Sequence, residues 1–258
     1  MKIIGIIPAR MASSRFPGKP LAKIHGIPML GHVYHRSKMC ETMDEVYVAT
    51  CDKEIEEYIV NAGGRAVMTA DTHKRASDRA AEALLKIEAE KNQKIDLVVM
   101  IQGDEPMLHP AMIDAAVKPF FEEPATKVVN LMALMQERTE QLDPNEVKVV
   151  TDQKGNALYF SRESIPSAKN TDGEVSVYKQ VCIIPFRRDF LIEFNNLTPT
   201  PLEIVESIDM LRVLEHGMKV KMIETDYDTQ SVDTPDELKK VEKLMMNDTL
   251  MEKYSIKL

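Results

Sequence analysis

The chain has 258 residues, with 33 Lys and Arg against 41 Asp and Glu and a formal net charge of −8. Hydrophobic content of 44% beside 29% charged residues is that of a globular chain with a substantial core. The acid excess excludes a general nucleic-acid binder, whose footprint is a basic face, and no apolar run approaches the ~18 residues of a membrane span.

Cys40, Cys51 and Cys182 form no C-x-x-C pair, and an odd count does not suggest a disulfide framework. Reduced thiols and a cytoplasmic setting are the expectation. The chain opens directly into a strand, so no secretory leader is expected. The 17 methionines are scattered and read as core filler.

Ile3 to Ile7 is apolar and mostly β-branched, the pattern of a strand buried on both faces. Arg10, Arg15 and Lys19 follow it, separated by small residues and Pro17-Gly18. Cations at the carboxyl end of a central strand are placed to hold a polyphosphate. The loop is not a Walker motif, because Ser13 stands where the first glycine belongs and Pro20 where Ser or Thr belongs. A plain basic surface loop is the alternative.

Next come a helix from Pro28 to about Met39, a strand over 45–50, and a helix N-capped by Asp52 and closed by Gly63-Gly64. A strand at 65–68, a helix capped by Ser77 and reaching Glu90, a buried strand at 95–101 and a helix over 110–121 continue the alternation. Repeated β-α pairs predict a three-layer, mostly parallel α/β sheet. Strand signals at 128–135, 147–151, 157–160 and 178–184 then cluster, with a hairpin turn at 152–156. They predict a β-rich insertion at 125–200 in one domain spanning 1–258. A helix over 201–215, a strand at 219–224 and a Thr234-Pro235 helix start complete the chain.

Gln102-Gly-Asp104-Glu105-Pro106 ends the strand at 95–101 and carries Asp104 toward the crevice of Arg10 and Lys19. One carboxylate beside a triphosphate is what Mg2+ commonly takes from protein; a turn Asp bonding its own backbone is the alternative. Asp233, before Thr234-Pro235, reads equally as a helix-capping residue or a second metal ligand. Arg162, at the edge of the inserted strands, reads as a site residue or a surface arginine.

Ile7-Pro-Ala-Arg10, Ser13-Ser-Arg15, Pro17-Gly-Lys19-Pro-Leu21, Gln102-Gly-Asp104-Glu-Pro106, Tyr159-Phe-Ser-Arg162, Ile165-Pro166, Glu206, Leu211-Arg212 and Val232-Asp233-Thr-Pro235 occur in order. Together they resemble the CMP-Kdo synthetases, the 3-deoxy-manno-octulosonate cytidylyltransferases, over residues 1 to about 245. The resemblance implies a Rossmann-like nucleotidyltransferase fold and a Mg2+-dependent reaction of CTP with a 2-keto sugar acid, giving a CMP-sugar and pyrophosphate. It implies that Lys19, Asp104 and Asp233 are catalytic, the two acids holding metal. Pro8, Ala9, Arg10, Ser13, Arg15, Lys19, Ser77, Arg79 and Gln102 would contact nucleotide, and Gln102, Arg162, Gln180, Glu206 and Asp209 the sugar. A cytoplasmic homodimer serving lipopolysaccharide synthesis is implied, built through the β-rich insertion.

Departures from the family pattern cluster. The segment His-x-Ser-Gly-Thr-Asp/Glu-Arg is here His73-Lys-Arg75-Ala76-Ser77-Asp78-Arg79. A His-Leu-Gly-Ile-Tyr strand is Gln180-Val-Cys182-Ile-Ile184, Glu-Gln-Leu-Arg is Asp209-Met210-Leu-Arg212, and the stretch 167–179 is shorter than usual. The acceptor is therefore expected to be Kdo or a modified acid sugar, a sialate-like acid being one alternative. A non-catalytic nucleotide-binding relative and a metal-dependent glycosyltransferase are the others.

Overall fold

The computed structural model describes residues 1–13, 15–170, 175–227 and 229–255. The chain begins with β1 (Ile3–Ala9), a 3-10 turn (Lys19–Leu21), β2 (Lys23–Ile24), β3 (Ile27–Pro28) and α1 (Met29–Ser37). It continues with β4 (Glu45–Thr50), α2 (Lys53–Asn61), β5 (Ala66–Met68), α3 (Ala76–Lys91), β6 (Leu97–Ile101) and α4 (Pro110–Val117). Then follow α5 (Pro119–Glu122), β7 (Val129–Leu134), α6 (Arg138–Leu142), β8 (Lys148–Thr151), β9 (Ala157–Ser161), β10 (Tyr178–Val181) and β11 (Ile183–Arg187). Helices α7 (Arg188–Asn196), α8 (Pro201–Glu206) and α9 (Met210–Glu215), strand β12 (Lys221–Thr225), and helices α10 (Pro235–Leu244) and α11 (Thr249–Ser255) end it.

Two compact units result: Met1–Asp114 with Asp228–Leu258, and Ala115–Tyr227. The insertion expected at 125–200 thus corresponds to a longer unit. The reason is β12, which pairs in parallel with β7 from Lys221↔Val129 to Thr225↔Ala133 and so belongs to the same sheet.

In the first unit β6, β1, β4 and β5 lie side by side and all parallel. Their residues are almost wholly apolar because both faces are covered. Ile6 pairs with Met100, so β1 and β6 release their chains at the same edge. That register brings the segment after Ala9 and the segment after Ile101 together. A core of Ile24, Met29, Val232, Val241 and Met245 joins the C-terminal helices to this edge, with Phe16 and Met107 packed against it.

The second unit carries a mixed sheet in the order β12-β7-β10-β8-β9, antiparallel except for β12 with β7. The turn expected at 152–156 is present: Asp152 Oδ1 accepts the Lys154 and Asn156 amides, and Gly155 has φ 73°. Several expected elements are broken. The strand at 178–184 divides at Cys182, and the helix at 201–215 divides at Ser207, which takes a left-handed φ of 55°. The shortened stretch 167–179 lies partly on 171–174, outside the described residues.

Candidate active site

A cleft of about 350 Å³ lies within the first unit, walled by Pro8, Ala9, Arg10, Ala12, Ser13, Arg15, Lys19, Pro20 and Met29 on one side. His73, Lys74, Arg75, Ala76 and Arg79 form a second wall, and Gln102, Gly103, Asp104 and Asp233 complete it. The nucleotide residues expected from sequence therefore converge, with one exception. Ser77 does not line the cleft: it is fully buried in the first turn of α3. It does not cap that helix either, because Arg75 is extended and holds the N-cap position, so α3 starts one residue before Ser77.

The loop after β1 is shaped by its own backbone. Gly18, at φ 74°, caps the 3-10 turn that presents Lys19, and its amide donates to the Met11 carbonyl. Ser13 Oγ accepts the Phe16 amide. Asp52, expected to cap α2, makes no side-chain cap; its Oδ2 accepts the Met11 amide at 2.8 Å and braces the loop from the next strand.

Across the cleft, Gly103 sits where a Cβ would come within 3.2 Å of Leu30 and 3.5 Å of Ile7 and the Pro8 carbonyl. The absence of a side chain lets the turn after β6 lie close against β1. The same turn carries Asp104.

Of the two readings of Asp233, the helix cap is not what the structure shows. Thr234, not Asp233, caps α10, in a capping box with Glu237. The Asp233 carboxylate is thereby left for the cleft: Oδ2 accepts from Arg15 Nη2 at 2.8 Å and Oδ1 from Lys19 Nζ at 2.9 Å. Lys19 Nζ also donates to Asp104 Oδ2 at 2.8 Å. Burial pulls the Lys19 pKa down, but the charges and hydrogen bonds of Asp104 and Asp233 outweigh it, and the net shift is upward.

Two polar atoms buried here have no partner among the described residues. Asp104 Oδ1 is one, and Arg79 Nη2 is the other, its Nη1 being taken by the Thr69 hydroxyl. Buried orphans are costly unless something else satisfies them. A lone acceptor beside Asp233 and a lone guanidinium donor on the opposite wall fit a cation and an anion respectively.

The expected sugar residues other than Gln102 lie in the second unit. The Arg162 guanidinium donates to the backbone carbonyls of Glu206, Pro144 and Ser207. Glu206 accepts from the Tyr159 and Ser161 hydroxyls and from the Arg162 amide. Gln180 Nε2 donates to Asn130 Oδ1 at 2.6 Å, while Asn130 Nδ2 donates to the carbonyls of Leu131 and Val181. Asp209 occupies the N-cap position of α9. Arg212, from the same sequence motif, is 1% exposed and paired with Glu203, stacked 4.6 Å from the Phe194 ring.

The sequence reading missed Lys74, Arg75 and Asn130, and gave Asp52 a helix cap in place of its bond to the Met11 amide. Lys74 and Arg75 sit within a segment already singled out for Ser77 and Arg79. Asn130 is a solitary amide in the apolar run Val129 to Leu134, a signal that was present.

Parallel strands, glycine-shaped turns at one edge, a cationic loop and two facing acids define a nucleotidyltransferase-type α/β protein. The cytidylyltransferase family model matches residues 4–221. The 3-deoxy-manno-octulosonate cytidylyltransferase of Geobacter metallireducens is 44% identical over 251 residues, covering 93% of this chain and 96% of the relative. That of Geotalea uraniireducens is 43% identical, covering 93% and 98%. A solved CMP:2-keto-3-deoxy-manno-octonic acid synthetase complexed with CTP superposes with TM-score 0.86 at 36% identity, covering 95% of this chain and 98% of that one. The chain belongs to the 3-deoxy-manno-octulosonate cytidylyltransferase family of cytidylyltransferases.

Proposed function

We propose that the protein transfers CMP from CTP to the anomeric hydroxyl of a 2-keto-3-deoxy sugar acid, Kdo or a close analogue, and releases pyrophosphate. The observation that carries this reading is the meeting of Asp104 and Asp233 on the Lys19 ammonium, inside a cleft walled by Arg10, Arg15 and Arg79. The names of the relatives and the CTP bound to the solved neighbour support it.

In this scheme the anomeric oxygen forms a bond to the α-phosphorus as the bond to the β-phosphate oxygen breaks, and the hydroxyl proton passes to solvent. Such transfers depend on position and charge more than on covalent help from protein. Arg10, Arg15 and Lys19 hold the phosphates and offset charge as it develops on the departing pyrophosphate. The backbone at Pro8 and Ala9, with Ser13, Arg79 and Gln102, fixes the nucleotide in the cleft.

Asp104 and Asp233 would hold Mg2+, with phosphate oxygens and waters as its remaining ligands. Among the described residues no group of three or more His, Cys, Asp or Glu could hold a metal alone. The orphaned Asp104 Oδ1 and an oxygen-only donor set fit that ion. When bound, it would polarise the phosphate and lower the pKa of the attacking hydroxyl.

Gln102, Gln180, Glu206, Asp209 and Arg162 serve the sugar acid. Arg162 and Glu206, spent largely on each other and on backbone, do so by fixing the shape of the Tyr159–Arg162 strand end.

The protein acts as a cytoplasmic homodimer, and the CMP-sugar supplies lipopolysaccharide synthesis. Cys40, Cys51 and Cys182 form no disulfide with one another, and no described helix is long and apolar enough to cross a membrane. Ile204 and Val205, 68% and 80% exposed on α8, offer an apolar surface for a second copy. Val205→Asp should shift the sedimentation coefficient to that of a monomer if this surface pairs.

Pyrophosphate release, measured over CTP, UTP and ATP with Kdo, related acid sugars and sialate, tests the reading. Release with CTP and a 2-keto-3-deoxy acid is expected. Silence over the whole panel would overturn catalysis, and activity with sialate alone would overturn the acceptor.

A further inference from the structure

We infer that Lys19 is a displaceable counter-ion that couples divalent-cation binding at Asp104 and Asp233 to the arrival of a nucleotide polyphosphate. The inference rests on the nucleotidyl-transfer reading above and assigns Lys19 an additional role before chemistry.

The ammonium lies 2.8 Å from Asp104 Oδ2 and 2.9 Å from Asp233 Oδ1, one oxygen on each of the two turns. A cation bridging the turns needs those same oxygens, or their immediate neighbours on the same carboxylates. Lys19 is only 12% exposed at its side chain, so water screens the competition weakly. Like charges crowded onto one carboxylate repel, and the contest has a single winner.

Charge balance supports the same conclusion. Asp104 and Asp233 contribute two negative charges, and Lys19 and Arg15 contribute two positive charges in direct contact with them. A divalent cation entering alone would leave a surplus of positive charge in a partly buried cleft. A nucleotide triphosphate brings anionic oxygens that can take Lys19 and Arg15 off the acids. Lysine suits the task, having one mobile point charge on a flexible stem. The carboxylates are then open to the metal, and Asp104 Oδ1 gains the partner it lacks among the described residues.

The test uses the full chain without sugar acid, so no turnover occurs. Free Mn2+ is measured by electron paramagnetic resonance for wild type, Lys19→Met and Lys19→Gln; the two variants guard against one failing to fold, which circular dichroism checks. Without nucleotide, a folded variant should bind Mn2+ at least fivefold more tightly than wild type, and adding Asp104→Asn should remove the gain. A smaller gain, including no binding by any form, overturns the inference, as does a gain that survives Asp104→Asn. In a second arm, CTP is added to wild type in EDTA while the Lys19 ammonium is followed by 15N NMR. A shifted resonance is expected, and an unchanged one with CTP bound overturns the coupling. If calorimetry shows that wild type binds no CTP, the transfer reading itself is what fails.

Discussion

The Val232 amide donates to the Asp104 carbonyl at 3.0 Å. This one backbone bond joins the turn after β6 to the segment entering α10, and it places Asp104 and Asp233 within reach of a single ammonium. Because it uses the backbone of Asp104, the carboxylate can be altered without unpinning the turn.

Asp104→Asn should therefore leave the melting temperature close to wild type while turnover falls by about 2–4 kcal/mol of transition-state stabilisation, roughly thirtyfold to just under a thousandfold. Steady-state pyrophosphate release and a thermal melt on the same sample check it. A large drop in melting temperature would show the side chain to be structural.

Thr234 and Asp233 are adjacent yet should separate cleanly. Thr234→Ala removes the cap of α10 and should cost about 1 kcal/mol of stability with little change in kcat. Asp233→Asn should spare stability and lower kcat. Parallel urea melts and kinetics on the two variants show whether the effects divide this way.

Gln180 should affect the acceptor and not the nucleotide. Gln180→Ala strips Asn130 Oδ1 of its 2.6 Å donor, and a buried acceptor left unpaired costs about 1–3 kcal/mol. The expectation is a raised KM for the sugar acid with KM for CTP unchanged. Equal changes in both constants would remove Gln180 from the sugar side.

His32 sets an acid limit on stability. It is fully buried, its Nε2 faces the Ile24 carbonyl at 2.9 Å and its Nδ1 faces the Tyr254 hydroxyl at 2.7 Å. A carbonyl only accepts, so Nε2 bears the proton and Nδ1 accepts from tyrosine. Burial lowers the His32 pKa to about 4. A depressed pKa gives stability that is complete above the unfolded value near 6.5 and lost as pH falls toward 4, on the order of 2–3 kcal/mol. His32→Gln should flatten that slope, and urea melts at pH 7 and pH 4.5 for both proteins check it.

Periodicity and turn chemistry made the alternation of β1, α1, β4, α2, β5, α3 and β6 legible, because buried parallel strands leave continuous apolar runs. Breaks within elements were not legible. The left-handed Ser207 that splits the helix at 201–215 carries no glycine or proline to announce it. Boundaries of the second unit were misplaced because β12 joins its sheet by a pairing 92 residues distant in sequence, Lys221 with Val129.

The sequence by itself determined which residue types were available: a cationic loop after the first strand, an acid turn after the buried strand at 95–101, and an acid before Thr234-Pro235. Only the tertiary structure decided what each of them does. Whether Asp233 capped a helix or faced the cleft depended on Thr234 satisfying the helix amides first, and whether Arg162 stood free depended on three carbonyls from other segments. Such outcomes are competitions among groups far apart in the chain, and distance along a sequence does not state which partner lies closer in space.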